Sequence, residues 1–255
     1  AVLCVRRRGP GAPKVRAAMG VVGTIGYLLI GCGPAGVIFA TRIARRPFLV
    51  VLTFTSCASW ILTATVLAVP LAFFLPFGSE RGYVLPFVVC VVCHELCRRV
   101  VWRTLTRWMA SRVDAIASHF GYRKVSAGDS MNMHLAWGLG QGMARGLFFF
   151  AANTVVSVGP GTIYTKTCPA VPYFLTSAVM SLAFVSIHTS AMLLEFSQDL
   201  ERSNSFVAFL EGAAPALAGT LTLGNLANDG CLVVMPMLVV FATGMVWHTG
   251  ARLRQ

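Results

Sequence analysis

The sequence predicts an all-α polytopic membrane protein, a bundle of seven transmembrane helices with a lumenal N-terminus and a cytosolic C-terminus. Three observations predict it. The chain of 255 residues is 56% hydrophobic and only 12% charged, too apolar for the surface of a soluble domain. Its charges collect in short islands between apolar stretches of about 20 residues, the length that spans the hydrocarbon. Its arginines and lysines, finally, fall almost wholly in alternate connections.

The spans expected from these stretches are 20–41, 48–76, 84–101, 131–156, 172–196, 205–224 and 231–250. Helix breakers stand between them: Arg45, Arg46 and Pro47 after the first, and Gly78 and Gly82 after the second. Gly159, Pro160 and Gly161 follow the fourth, and Asn228, Asp229 and Gly230 the sixth. No connection is long enough for a separate domain. One side holds thirteen basic residues, among them Arg42, Arg98, Arg103, Arg112, Lys124, Arg202 and Arg252, whereas the other holds only Arg81 and Lys166. The positive-inside rule puts the richer side, and the C-terminus, in the cytosol.

The first eighteen residues run against this count, because Arg6, Arg7, Arg8, Lys14 and Arg16 would be lumenal. The expectation is that 1–18 is a non-native extension and that 19–255, from Met19, forms the transmembrane domain. The net charge of +12 therefore marks cytosolic connections and not a nucleic-acid surface, since no basic stretch is interleaved with aromatics. Most cysteines (Cys32, Cys57, Cys90, Cys93, Cys97) lie in apolar stretches, where they act as small packing residues. Whether Cys168 and Cys231 pair is open at this level.

The most specific local pattern is Gly138, Gly142 and Gly146 in the fourth span. Residues four apart fall nearly in line on a helix, so this series forms a groove that another backbone can enter. Ala144 and Gly140 lie nearby. Arg145 sits beside the groove, about 14 residues or roughly 21 Å from the cytosolic end of its span. A charge so deep calls for a counter-ion on another subunit or a water-filled cavity, or else its side chain snorkels towards an interface. Glu95 lies only about 9 Å from the cytosolic end of the third span, so the two are not expected to be level. His188, about 12 Å in, is close to the depth of Glu95 and could share a polar site with it.

Catalytic patterns are sparse. Asp114, Asp129, Asp199 and Asp229 all fall in connections or at span ends, which leaves no intramembrane aspartyl dyad. There is no G-x-S-x-G elbow. Cys93, His94 and Cys97 do not complete a metal site, and neither a metal nor a cofactor is expected. His94, Glu95 and Arg99 do resemble a degraded E-E-x-x-x-R motif of the prenyl-protein endopeptidase superfamily. That gives an alternative reading as a membrane hydrolase using Glu95 and His188. A transporter reading would line a path with Arg145 and His188, but the sequence shows no inverted repeat.

Taken in order, the residues resemble one family. Gly33-Pro34, Trp60, Glu95 with Arg98, the three glycines, Gly159-Pro160-Gly161, and Tyr173-Phe174-Leu175-Thr176-Ser177-Ala178 leading to His188-Thr189 are similar to the anterior-pharynx-defective (Aph) family. Its members are scaffold subunits of gamma-secretase. The resemblance runs from about Met19 to the end and implies seven spans with a lumenal N-terminus. It further implies a non-catalytic role in assembling presenilin-like, nicastrin-like and presenilin-enhancer-like subunits in the lipid bilayer. The expected setting is the endoplasmic reticulum, Golgi and plasma membrane, and the expected process is cleavage of type I membrane proteins, including Notch signalling. Two departures stand out. Gly212-Ala213-Ala214-Pro215 lacks the histidine the family carries in the sixth span, and Arg145 stands where the family has a small uncharged residue.

Overall fold

A computed structural model describes the backbone of residues 3–4, 16–74, 84–120, 126–157, 164–165, 167–200 and 205–254. The described residues form seven α-helices: α1 (Arg16–Ile38), α2 (Pro47–Phe74), α3 (Val84–Phe120), α4 (Ala127–Ser157), α5 (Tyr173–Leu200), α6 (Ser205–Leu221) and α7 (Cys231–Arg252). Two-residue strands β1 (Leu3–Cys4) and β2 (Tyr164–Thr165) pair antiparallel. The expected breakers Gly78, Gly82, Gly159, Pro160 and Gly161 lie outside the described residues, as do Arg81, Lys166, Arg202, Arg123 and Lys124.

Four helical stretches among the described residues are long and apolar enough to cross a membrane: Val22–Ile43, Pro47–Pro70, Tyr173–Ser197 and Cys231–Arg252. The fold is accordingly that of an all-α polytopic membrane protein. The other three helices fall short for visible reasons. Charges interrupt α3 at Glu95, Arg98 and Arg99, α4 carries Gln141 and Arg145, and α6 has 17 residues. At 1.5 Å per residue α6 covers about 25 Å, slightly less than the hydrocarbon. A 3-10 turn (Thr222–Leu226) continues it.

One boundary departs widely from the sequence expectation. α3 does not end near residue 101 but continues to Phe120. The segment from Trp102 to Phe120 contains neither glycine nor proline, so nothing local ends the helix. Trp102, Leu105 and Met109, at helical spacing, pack onto a core with Ile43, Ala136 and Trp137.

Helix ends are set by familiar devices. A π-helical turn (Phe39–Ile43) closes α1, and Pro47, whose missing N–H costs nothing at a first helical position, opens α2. Ser126 and Asp129 cap α4 reciprocally. The Ser126 hydroxyl accepts from the Asp129 N–H at 3.2 Å, and Asp129 Oδ2 accepts from the Ser126 hydroxyl at 2.6 Å. Asp129 Oδ1 also meets Arg46 Nη1 at 3.0 Å, tying the start of α4 to the turn between α1 and α2.

The opposite end is closed covalently. Cys168 and Cys231 form a disulfide with their Cα atoms 6.0 Å apart, joining the segment before α5 to the start of α7. Beside it Asp229 adopts φ 53° and donates its N–H to the Thr167 carbonyl at 2.7 Å. Aspartate is among the few residues that tolerate this left-handed backbone.

α5 is the axis of the bundle. Of its apolar stretch 78% is buried, against 11% for α1, 22% for α2 and 28% for α7. An apolar helix covered on all sides belongs to the interior. α5 runs antiparallel to α4, parallel to α1 through the stacked rings of Tyr27 and Phe174, and parallel to α7, where Thr249 reaches the Ser190 carbonyl. Met180, Phe184 and Ile187 of α5 pack with Ala218 of α6 and Val234 and Leu238 of α7.

Candidate functional site

Two features converge on α4, and both begin with residues that a lipid-facing helix would not carry. The first is the glycine series. A methyl group on Gly138 would come within 2.9 Å of Met192 Cβ and 3.0 Å of the His188 carbonyl. On Gly142 it would meet Val185 Cα at 2.7 Å, and on Gly146 it would strike the Ser181 hydroxyl. All of these neighbours belong to α5. The groove seen in the sequence is therefore filled within the chain, by the next helix along, backbone against backbone.

α4 has a second close face that the spacing did not reveal. Gly140 lies against the Thr53 carbonyl and Ser56 of α2. There the Ser56 hydroxyl donates to the Trp137 carbonyl at 2.6 Å, and Gln141 Nε2 donates to the Ser56 carbonyl at 3.0 Å. The available signal was the polar run Thr53, Ser56 and Ser59 at helical spacing on α2. Serine and threonine at such spacing are the usual polar contacts between membrane helices.

The second feature is a buried charged cluster. Arg145 Nη2 meets Glu95 Oε1 at 3.3 Å, and Arg98 Nε donates to Glu95 Oε2 at 2.7 Å. Arg98 Nη1 also lies 2.6 Å from Met192 Sδ and 3.6 Å from Glu195 Oε2. The Arg145 guanidinium sits 5.8 Å from the Trp60 ring centroid and 5.5 Å from that of Phe184. Aromatic faces at these distances attract a cation. A methyl group on Gly219 of α6 would lie 3.6 Å from Arg145 Nη1. One guanidinium thus meets α2, α3 and α5 and lies close to α6.

The expectation that Arg145 and Glu95 lie at different depths is overturned. The depth of Glu95 was counted from residue 101, which is not a helix end, and helices in a bundle tilt. The arginine side chain closes the rest of the gap. His188 is fully buried and within electrostatic range of both. Its ring lies 6.4 Å from that of Phe184, and neither ring nitrogen hydrogen-bonds to another described residue.

The hydrolase-like triplet does not assemble. His94 Nδ1 is 4.0 Å from Glu95, but Arg98, not Arg99, pairs with the carboxylate. Arg99 points to α6, against Gly212. No group of three or more metal-ligating side chains occurs among the described residues. Asp129 and Asp229 stand at opposite ends of the bundle, and the Asp114 and Asp199 side chains lie outside the described residues.

The sequence pattern of the family described as Aph-1 protein matches residues 22–254, nearly the whole chain. The chain belongs to the Aph-1 family. Relatives at the same length support the assignment. It is 31% identical over 239 residues to the gamma-secretase subunit APH1-like protein of Arabidopsis thaliana, covering 93% of this chain and 95% of that protein. It is 25% identical over 236 residues to the gamma-secretase subunit Aph-1b of Danio rerio, covering 87% and 85%. Within the Aph-1 family frame, the cluster of Glu95, Arg98, Arg145 and His188 lies in the matched region, as does the whole glycine seam.

Proposed function

We propose that this chain is the non-catalytic scaffold subunit of a gamma-secretase-type intramembrane protease. The observation that carries the reading is the end-to-end family match, with relatives named as gamma-secretase subunits. The charged cluster agrees with a structural role. Both oxygens of Glu95 are engaged by arginines, which ties that carboxylate into charge-assisted pairs between helices. In this reading presenilin-like, nicastrin-like and presenilin-enhancer-like subunits assemble on the outer faces of a bundle that the α4–α5 seam holds together.

The same reading places all seven helices across the bilayer, in membranes of the endoplasmic reticulum, Golgi and cell surface. Its orientation draws on two independent supports. The arginine-rich end gathers the α1–α2 turn, the start of α4 and the end of α7, as expected of a cytosolic side. The disulfide lies at the other end, where a lumenal, oxidising setting would preserve it.

Affinity purification of the tagged chain tests the assignment. Recovery of a presenilin-like protease together with a nicastrin-like glycoprotein is the expected result. Recovery of neither, from membranes in which the chain is intact, would overturn it. Proteolysis by the purified chain alone, abolished by Glu95→Gln, would instead favour the hydrolase alternative.

A further inference from the structure

The cap of α4 is a serine whose preceding residues carry a second pattern. Ser126 follows Arg123, Lys124 and Val125, and no other serine or threonine of the chain has basic residues both two and three positions before it. Basic side chains at those two positions pair with the acidic substrate cleft of a basophilic protein kinase through charge-assisted hydrogen bonds. The residues that follow allow access. Ala127, Gly128 and Asp129 are exposed, and the glycine at the second position of α4 makes its first turn cheap to unwind into the extended form that such a cleft takes.

The surroundings of the Ser126 hydroxyl suit a phosphate. Its oxygen already accepts the Asp129 N–H at 3.2 Å, so a phosphate there would lie over the unpaired N–H groups and the positive dipole end of a 31-residue helix. A cation from another part of the chain is close too. The Asp129 carboxylate that accepts the hydroxyl's hydrogen bond at 2.6 Å is the one that Arg46 Nη1 meets at 3.0 Å, so a single carboxylate separates hydroxyl from guanidinium. The Arg46 and Asp129 side chains are both more than half exposed, which leaves them room to rearrange.

We propose that Ser126 is a phosphorylation site for a basophilic serine kinase using ATP, and that the phosphate takes Arg46 from Asp129. The proposal rests on the bilayer placement given above, which puts Ser126 on the cytosolic side with ATP. In the transfer Ser126 Oγ bonds to the γ-phosphorus as the bond from that phosphorus to the β–γ bridging oxygen breaks. The hydroxyl proton passes to a carboxylate of the kinase, and ADP leaves. The product has lost the donor that held Asp129 Oδ2 and sets a charge of about −1.5 to −2 beside that carboxylate, so Asp129 turns out to water. The phosphate offers Arg46 a bidentate partner of higher charge. The tie between α4 and the turn before α2 is kept, and its anion changes.

Incubation of the full chain in detergent with ATP and the catalytic subunit of cyclic-AMP-dependent protein kinase, followed by peptide mass spectrometry, tests the site. Phosphate on Ser126 is expected, at a rate that falls roughly tenfold or more in R123Q/K124Q. No phosphate on Ser126, or an unchanged rate in that variant, would overturn the proposal. Amide exchange in the first turn of α4 tests the exchange of partners. Asp129→Ala should speed it in the unmodified chain and leave the phosphorylated chain unaffected, whereas Arg46→Gln should speed it in both. An equal effect of Asp129→Ala in the two forms would overturn the transfer of Arg46. Detergent has no sides, so orientation is tested apart. Kinase and ATP added outside sealed microsomes should also label Ser126, and label in detergent alone would overturn the bilayer placement and not the chemistry of the site.

Discussion

Arg145 of α4 and Glu95 of α3, fifty residues apart in the chain, meet at 3.3 Å inside the bundle. Around them Trp60 and Phe184 supply aromatic faces, and Arg98 takes the second carboxylate oxygen. A buried pair of this kind is costly to break from one side, because the remaining charge is stranded. Glu95→Gln strands Arg145, leaves Arg98 with Glu195 alone, and is expected to destabilise the protein by about 3–5 kcal/mol. The double variant Glu95→Gln with Arg145→Met should recover part of that loss. Thermal melting in detergent reads both, and a double variant no more stable than the single one would contradict the pairing.

Substitution of the glycines should sort them by what each faces. Gly142→Ala forces a methyl group against the α5 main chain at Val185, at a cost of about 1–3 kcal/mol or more. Gly140→Ala should be comparably harmful, through α2. Gly33→Ala meets nothing within 4 Å and should fold with unchanged stability. Melting temperatures of the three variants check the order.

Much of this was legible in the sequence, and the exceptions have physical causes. The glycine series announced a close helix contact because a spacing of four places residues on one line. Gly140, two residues from Gly138, was noted beside that line, but the spacing did not reveal that it packs on a second face, against α2. Helix positions followed from hydropathy, but the length of α3 did not, because a hydropathy drop marks where a helix leaves lipid and not where it stops. Nor was the Arg145 partner legible, since depth counted along one helix says nothing of its tilt or of side-chain reach. The family resemblance, carried by scattered residues in the right order, was borne out.

Removing the disulfide should loosen the end of the bundle that it closes. Cys168 and Cys231 enclose a loop of 63 residues, for which chain entropy gives about 4 kcal/mol. Replacing both by serine should lower the melting temperature and speed proteolysis between α4 and α5. A non-reducing gel shift after limited cleavage between the two cysteines checks the bond itself.

Asp129 links the start of α4 to acidity. Hydrogen bonds from the Ser126 hydroxyl and N–H, and then Arg46, hold its carboxyl below the usual aspartate range. Its folded value is depressed, so its contribution is present above the unfolded value and is lost as pH falls through the folded one. Amide exchange in the first turn of α4 should therefore accelerate only on strong acidification. Asp129→Ala should show the faster exchange already at neutral pH, and an unchanged rate in that variant would contradict the capping role.

The position of α5 at the axis bears on how the protein is made. With α4 across the bilayer, as the proposed function has it, Arg145 would lie in the hydrocarbon, where an arginine costs about 2.5–3.5 kcal/mol at the insertion machinery. α4 leaves the ribosome before α5, yet its glycine face is shaped for that later helix. On that placement α4 gains its packing partner only once α5 has been made. Synthesis is then the stage at which a defect in the seam would first show, before any partner is met.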